Sequence, residues 1–347
     1  MEFLHKPAAQ AAALLQALAH IPSPSFDADR PVSLLSRCPV AGETPLEDVP
    51  ALAKLAGVGR IHVKDERTRM GLGSFKALGA AYVIAVDAHN GDVSRCTYVA
   101  ASAGNHGLSV AAGAQAFGAQ AVIFLADTVP EVFAERLRRL GADVRRHGAI
   151  YEESMSGAAA AAEENGWILL SDSSWDGYYD KPHTLMEGYL VLMHEAFAQI
   201  PTAPSHIFLQ AGVGGLAAAS AAYARKAWGH SPRIIVVEPD AAPAIFASIQ
   251  AGNPQITTGP SSHMGRLDCK EPSLIALKGL AQDADDFVLI TETEGAAGRA
   301  ACAAAGYVST SSGAAGFAGL LAAQADHAAL GLSEASQVLI ILSEEPT

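Results

Sequence analysis

From about residue 60 onward, short runs of aliphatic and β-branched residues alternate with longer Ala-rich runs. The short runs predict strands over 61–63, 97–100, 121–125, 144–146, 168–170, 207–209, 234–237, 288–290 and 338–342. Between them, apolar positions at helical spacing predict helices over 75–88, 106–117, 131–140, 152–165, 185–199, 216–228, 242–251, 294–304 and 314–323. Alternation of this kind builds βαβ units, hence parallel sheets with helices on both faces. Ser74, Asn105 and Pro130 with Glu131 stand where three of these helices open, and each is a cap or first-turn residue type. Gly118, Gly141 and Gly166 follow helical runs and suit C-caps. Residues 252–270 carry no period and read as an ordered loop. The first sixty residues are only weakly periodic and are expected to wrap around the core.

A chain of 347 residues is too long for one minimal domain and fits two lobes or one large α/β unit. Half of it is hydrophobic, which supplies ample core. The formal net charge is −13 with the acidic residues scattered, so neither nucleic acid nor an anionic membrane is expected as a partner. The four cysteines, Cys38, Cys96, Cys269 and Cys302, are far apart and lack C-x-x-C spacing. They predict reduced thiols in a cytoplasmic protein, with no metal site. No secretory signal is visible at the start, and the uncharged run at 207–224 reads as strand, loop and helix, not a membrane span.

Three segments carry candidate chemistry. In the first, Gly71 and Gly73 make a turn, Ser74 is placed to cap a helix, and Lys76 enters its first turn. A helix N-terminus disfavours a cation, and burial adds to this. The pattern therefore predicts a neutral amine, the form that an imine-forming lysine needs; an ordinary surface lysine fits it equally. The second segment, Ser102-Ala103-Gly104-Asn105-His106-Gly107, follows an apolar strand, so backbone N–H groups can face a ligand. Asn105 offers both a donor and an acceptor, while His106 is expected to be packed. The third, Gln210-Ala211-Gly212-Val213-Gly214-Gly215-Leu216, again joins strand to helix and permits close backbone approach to an anion. Its spacing falls short of G-x-G-x-x-G, but Glu238 after the next strand keeps a nucleotide-binding alternative open.

In this order, and with Thr44-Pro45-Leu46 ahead of them, the segments resemble the fold-type II pyridoxal-phosphate enzymes. Within that group the lysine segment, Asp172-Ser173-Ser174-Trp175-Asp176-Gly177-Tyr178, Met186-Glu187-Gly188-Tyr189 and Cys269-Lys270-Glu271-Pro272-Ser273 are similar to the diaminopropionate ammonia-lyases. The resemblance implies two parallel-sheet α/β lobes: a large cofactor-binding domain of residues 1–93 and 181–347, and a small mobile domain of residues 94–180. It implies pyridoxal 5'-phosphate as cofactor, a small amino-acid substrate and a homodimer. Lys76 would hold the cofactor and move the Cα proton, and Asn105 would bond its phenolic oxygen. Gly212, Val213, Gly214, Gly215 and Leu216 would hold its phosphate. Ser343 would face the pyridine nitrogen, ahead of Ser311 and Ser312, and Asp172 would handle a proton near the substrate.

The activity implied is β-elimination from a small β-substituted L-amino acid, 2,3-diaminopropionate first, giving pyruvate and ammonia. Serine, threonine or 3-hydroxyaspartate dehydration is the alternative. A β-replacement synthase, a non-catalytic binding protein and a nicotinamide dehydrogenase are more distant rivals. Two departures stand out. Ala103 occupies the position of the subfamily's aspartate, which favours an L-substrate. Segment 264–270 is more charged than in that subfamily, and its Arg266 and Lys270 are either binders of an extra carboxylate or solvated loop charges.

Overall fold

The central strands are buried along almost their whole length, as expected when helices cover both faces of a parallel sheet. The computed structural model describes residues 1–346. Its strands are β1 (Glu2–His5), β2 (Leu46–Asp48), β3 (Arg60–Asp65), β4 (Thr97–Ala101), β5 (Gln120–Leu125), β6 (Asp143–Arg146), β7 (Ile168–Leu169), β8 (His206–Gln210), β9 (Arg233–Pro239), β10 (Asp286–Ile290) and β11 (Gln337–Leu342). Seven form one sheet in the order β1-β10-β9-β8-β11-β3-β2, and four form a second in the order β6-β5-β4-β7. Only the outer strands β1 and β2 pair antiparallel. The fold is α/β with two sheets, as the alternation predicts. No described helix is long and apolar enough to cross a membrane.

Successive side chains of a strand point to opposite faces. Ile207, Leu209, Ile234, Val236, Leu339 and Ile341 accordingly enter one core, while Phe208, Ile235, Val237, Val338, Ile340 and Leu342 enter another. The first core also takes Tyr98, Ala100, Ile123 and Leu125 from the smaller sheet. It is continuous across both sheets because helix Lys76–Asn90 lies between them, packed on helices Asn105–Ala116 and Asp180–Gln199. At one of these contacts, a Cβ on Gly188 would lie 2.4 Å from the Leu78 carbonyl oxygen, so only glycine admits this spacing. At the other, the Ser109 hydroxyl donates to the Lys76 carbonyl oxygen at 2.8 Å.

The first sixty residues do more than wrap the core. They supply both antiparallel edge strands and helices Ala8–Ala17, Asp29–Leu35 and Pro50–Ala56. Helix Leu274–Asp283 also goes unread in the sequence, and helix Asp180–Gln199 starts five residues before its predicted start. Pro182 obscures that start, yet proline is tolerated in a first turn, where the N–H needs no intrahelical acceptor. Gly118, Gly141 and Gly166 all take positive φ at or just beyond helix ends, as read.

One buried charge cluster fixes the segment that leads to Lys76. Lys64 Nζ donates to Glu195 Oε2 at 2.6 Å and to the Thr44 carbonyl at 2.7 Å. Arg69 donates to both oxygens of Glu66 and both of Glu195, at 2.6–2.8 Å. The Thr44 hydroxyl closes the cluster on Glu66 at 2.6 Å. Removing one partner strands a buried charge, at a cost of about 3–5 kcal/mol. Glu195→Ala is therefore expected to lose about that much stability in urea unfolding; a loss below about 1 kcal/mol would show that the cluster is merely solvated surface charge.

Candidate active site

The turn at residues 71–75 delivers Lys76 to the first position of its helix, and the side chain points inward, not to solvent. Its ammonium donates to the Asp172 carboxylate, and both side chains are about one-fifth exposed. It also lies 5.8 Å from the centroid of Tyr189 and 5.3 Å from that of Phe75. The neutral amine read from the helix N-terminus is overturned. Burial does press the Lys76 pKa down, but Asp172 outweighs it and holds the pKa well above the ordinary lysine range. The same attraction outweighs the burial of Asp172 and holds its carboxyl well below the usual carboxylate range.

Asp172 is held by a braced loop. Tyr178 donates to the Leu169 carbonyl at 2.8 Å, accepts from the Ser171 N–H at 3.1 Å and stacks on Trp175 at 4.4 Å. The Ser174 and Ser273 hydroxyls pair at 2.7 Å, tying the loop to the start of helix Leu274–Asp283. His106 is packed, as expected: Nε2 bonds the Leu170 carbonyl oxygen at 2.7 Å, and burial lowers its pKa.

The glycine turn lies beside this pair. Gly214 takes φ +98° and precedes helix Gly215–Trp228, whose first residues are Gly215 and Leu216. A Cβ on Gly215 would sit 3.5 Å from the ring of Tyr189, the same ring that Lys76 approaches. A Cβ on Gly212 would meet the Arg266 carbonyl at 3.0 Å and Cys269 Sγ at 3.1 Å. Val213 is tied by its carbonyl to the Ser273 N–H at 3.0 Å. Burial and the nearby Asp172 push the Cys269 thiol up to about 12.

The second turn meets the end of β11. Gly104 holds the cap position and Asn105 opens the helix, its side-chain amide donating to Glu344. Thr310 donates to the other oxygen of Glu344, and burial raises that carboxyl's pKa. Ser343 is buried beside it, its carbonyl accepting from the Phe75 N–H and its N–H donating to the Gly313 carbonyl. Ser312 accepts from the Arg266 N–H at 3.2 Å, while Ser311 makes no side-chain hydrogen bond among the described residues.

Two expected roles change. Ser74 does not cap: its buried hydroxyl has no partner among the described residues, and Phe75 holds the cap position. Glu238 does not face the glycine turn as a ribose ligand would. It accepts the N–H groups of Ile245 and Phe246 at 2.9 and 2.7 Å, capping helix Ala244–Ala251. Sequence reading missed Tyr189 as a neighbour of Lys76 and Glu344 as the partner of Asn105. The adjacent acids Glu344 and Glu345, at the end of an apolar strand, were the signal for the second.

The description "Pyridoxal-phosphate dependent enzyme" belongs to a family model that matches residues 38–344. A diaminopropionate ammonia-lyase of Salmonella typhimurium is 33% identical over 273 residues, covering 71% of this chain and 68% of its own. A human L-serine dehydratase/L-threonine deaminase is 30% identical over 231 residues, covering 65% of this chain and 66% of its own. The crystal structure of Escherichia coli diaminopropionate ammonia-lyase in complex with D-serine superposes with a TM-score of 0.88 at 27% identity, covering 99% and 93% of the two chains.

The Lys76–Asp172 pair sets the pH dependence of stability. The depressed Asp172 contributes stability that is fully present above the ordinary carboxylate range and is lost as pH falls below it. The elevated Lys76 contributes stability that is present below the ordinary lysine range, and is lost as pH rises above it. Asp172→Asn is expected to flatten both flanks, below about pH 4 and above about pH 10. Unfolding midpoints measured across that range check it, and an unchanged profile would refute the pairing.

Proposed function

The chain belongs to the pyridoxal-phosphate dependent enzymes, and on that footing we propose that it eliminates the β-substituent of a small L-amino acid, 2,3-diaminopropionate first among them, releasing pyruvate and ammonia. The observation that carries the reading is the placement of Lys76, paired with Asp172 and sharing the Tyr189 ring with the glycine turn. The residues present fit the cofactor. Gly212 packs its backbone on segment 266–269 and Gly214 packs on Ile245 with no room for a Cβ, and the buried Ser74 hydroxyl, Tyr189 hydroxyl and Gln210 Oε1 have no partner among the described residues. When bound, pyridoxal phosphate supplies an electrophilic aldehyde and a sink for the charge that develops at Cα.

The protein's share is positioning and proton traffic. Lys76 Nζ is the amine that would hold the cofactor's aldehyde and would take the Cα proton. Asp172 holds Nζ in place and would handle a proton near the substrate, at Cα or at the departing β-amine. The N–H groups at 212–216 and the N-terminus of helix Gly215–Trp228 would hold the phosphate. With Glu344 holding one amide hydrogen of Asn105, the second would be available to the cofactor's phenolic oxygen. Ser343 would stand at the pyridine nitrogen as a neutral group, which would not hold that nitrogen protonated and would favour prompt elimination over transamination.

The sheet of residues 97–169 supports a small mobile domain at 94–180, the remainder forming the large one. Free, separated thiols support a cytoplasmic setting, and the family resemblance supports a homodimer. Dehydration of serine or threonine is the second reading, supported by the 30% identity to the human L-serine dehydratase/L-threonine deaminase.

With pyridoxal phosphate, the wild-type protein is expected to gain a near-visible band that borohydride removes, leaving the label on Lys76. Lys76→Ala should show neither that band nor pyruvate release. Asp172→Asn should keep the band and lose about 10²–10⁴-fold in kcat. A wild-type protein that gains no band overturns the proposal.

A further inference from the structure

Arg266 lies where the two turns of the site approach each other. Its carbonyl oxygen is 3.0 Å from the Cβ position of Gly212, and its Nη1 is 3.0 Å from that of Gly104. Gly104 thus leaves the space that the guanidinium occupies. Across the site, Nε is 3.7 Å from Glu344 Oε2, outside hydrogen-bond range. Both oxygens of Glu344 already accept, from Asn105 and Thr310. The guanidinium therefore donates no hydrogen bond among the described residues, although about two-thirds of the side chain is covered. Lys270, the other cation of this segment, is fully used: Nζ donates to the Ala241 carbonyl at 2.6 Å, the Pro260 carbonyl at 2.9 Å and Asp268 at 2.6 Å. It is a tether for the loop.

A planar fork of unsatisfied donors beside the asparagine turn suits a carboxylate, which it can bind in bidentate fashion. We propose that Arg266 binds a second carboxylate of the substrate, so that the enzyme accepts β-hydroxylated or β-aminated amino dicarboxylic acids and takes 3-hydroxyaspartate, the simplest hydroxylated member, in preference to serine. The assignment rests on the elimination reading above and narrows its substrate class. For the hydroxylated acid the balance is complete without a co-reactant. The Cα–H and Cβ–O bonds break and water leaves. One water then re-enters as the unsaturated amine hydrolyses, yielding the 2-oxo dicarboxylic acid and ammonia.

The holoenzyme tests this in two ways. In kinetics, the ratio of kcat/KM for 3-hydroxyaspartate to that for serine should fall about tenfold or more in Arg266→Gln, mainly through KM, and should be partly restored in Arg266→Lys. In calorimetry, aspartate, which lacks a β-leaving group, should bind wild type at least about tenfold more tightly than alanine, and Arg266→Gln should erase that gap. An unchanged ratio and gap, or a wild-type enzyme without preference for either dicarboxylic acid, overturns the proposal. Equal loss on serine and 3-hydroxyaspartate also overturns it, since it assigns Arg266 to the α-carboxylate or to Glu344. If no amino acid is turned over, the elimination reading fails by itself, and the aspartate-to-alanine gap still decides for or against Arg266.

Discussion

Glu195 is the residue on which the site's geometry rests. It sits on helix Asp180–Gln199 and receives Lys64 from β3 and Arg69 from the turn beyond it. Two buried cations and two buried carboxylates, with Thr44 and Gln199 taking the remaining bonds, are neutral as a group and unstable in any part. That all-or-none character suits a segment that must leave a strand, reverse through Gly71 and Gly73, and present Lys76 at one position. Hydrophobic packing alone tolerates small slippage here; a satisfied charge network does not.

The electrostatics of the site follow one theme, in which a buried charge is permitted only with a dedicated partner. Lys76 has Asp172, and Glu344 has Asn105 and Thr310. His106 lacks an ionic partner and is held neutral by burial. Arg266 stands apart: it is an exposed cation paired with Glu344 at 3.7 Å, and its guanidinium donates no hydrogen bond among the described residues.

The central strands were legible because burial on both faces leaves little except Val, Ile, Leu and Phe in them. The edge strands were not: β2 is three residues, two of them acidic, and owes its place to pairing with β3. Lys76, Asn105 and the glycine turn were visible as local patterns, their joint order pointed to one family, and Asp172 came only with that resemblance. Their charge states were not visible. The helix N-terminus alone argues for a neutral lysine, and only a carboxylate 96 positions along the chain reverses that. Glu344 likewise gains its role from Asn105, 239 positions away. No local period reports pairings at such separations.

The bond from Ser109 to the Lys76 carbonyl has a mechanical meaning. Helix Asn105–Ala116 is thereby welded to helix Lys76–Asn90, with Gly113 admitting Ile84 at the seam. The amine at 76 and the amide at 105 are borne by two packed helices, though they precede and follow a change of sheet. The spacing of lysine and asparagine is therefore set by the packing of two helices and not by the loops that lead into them.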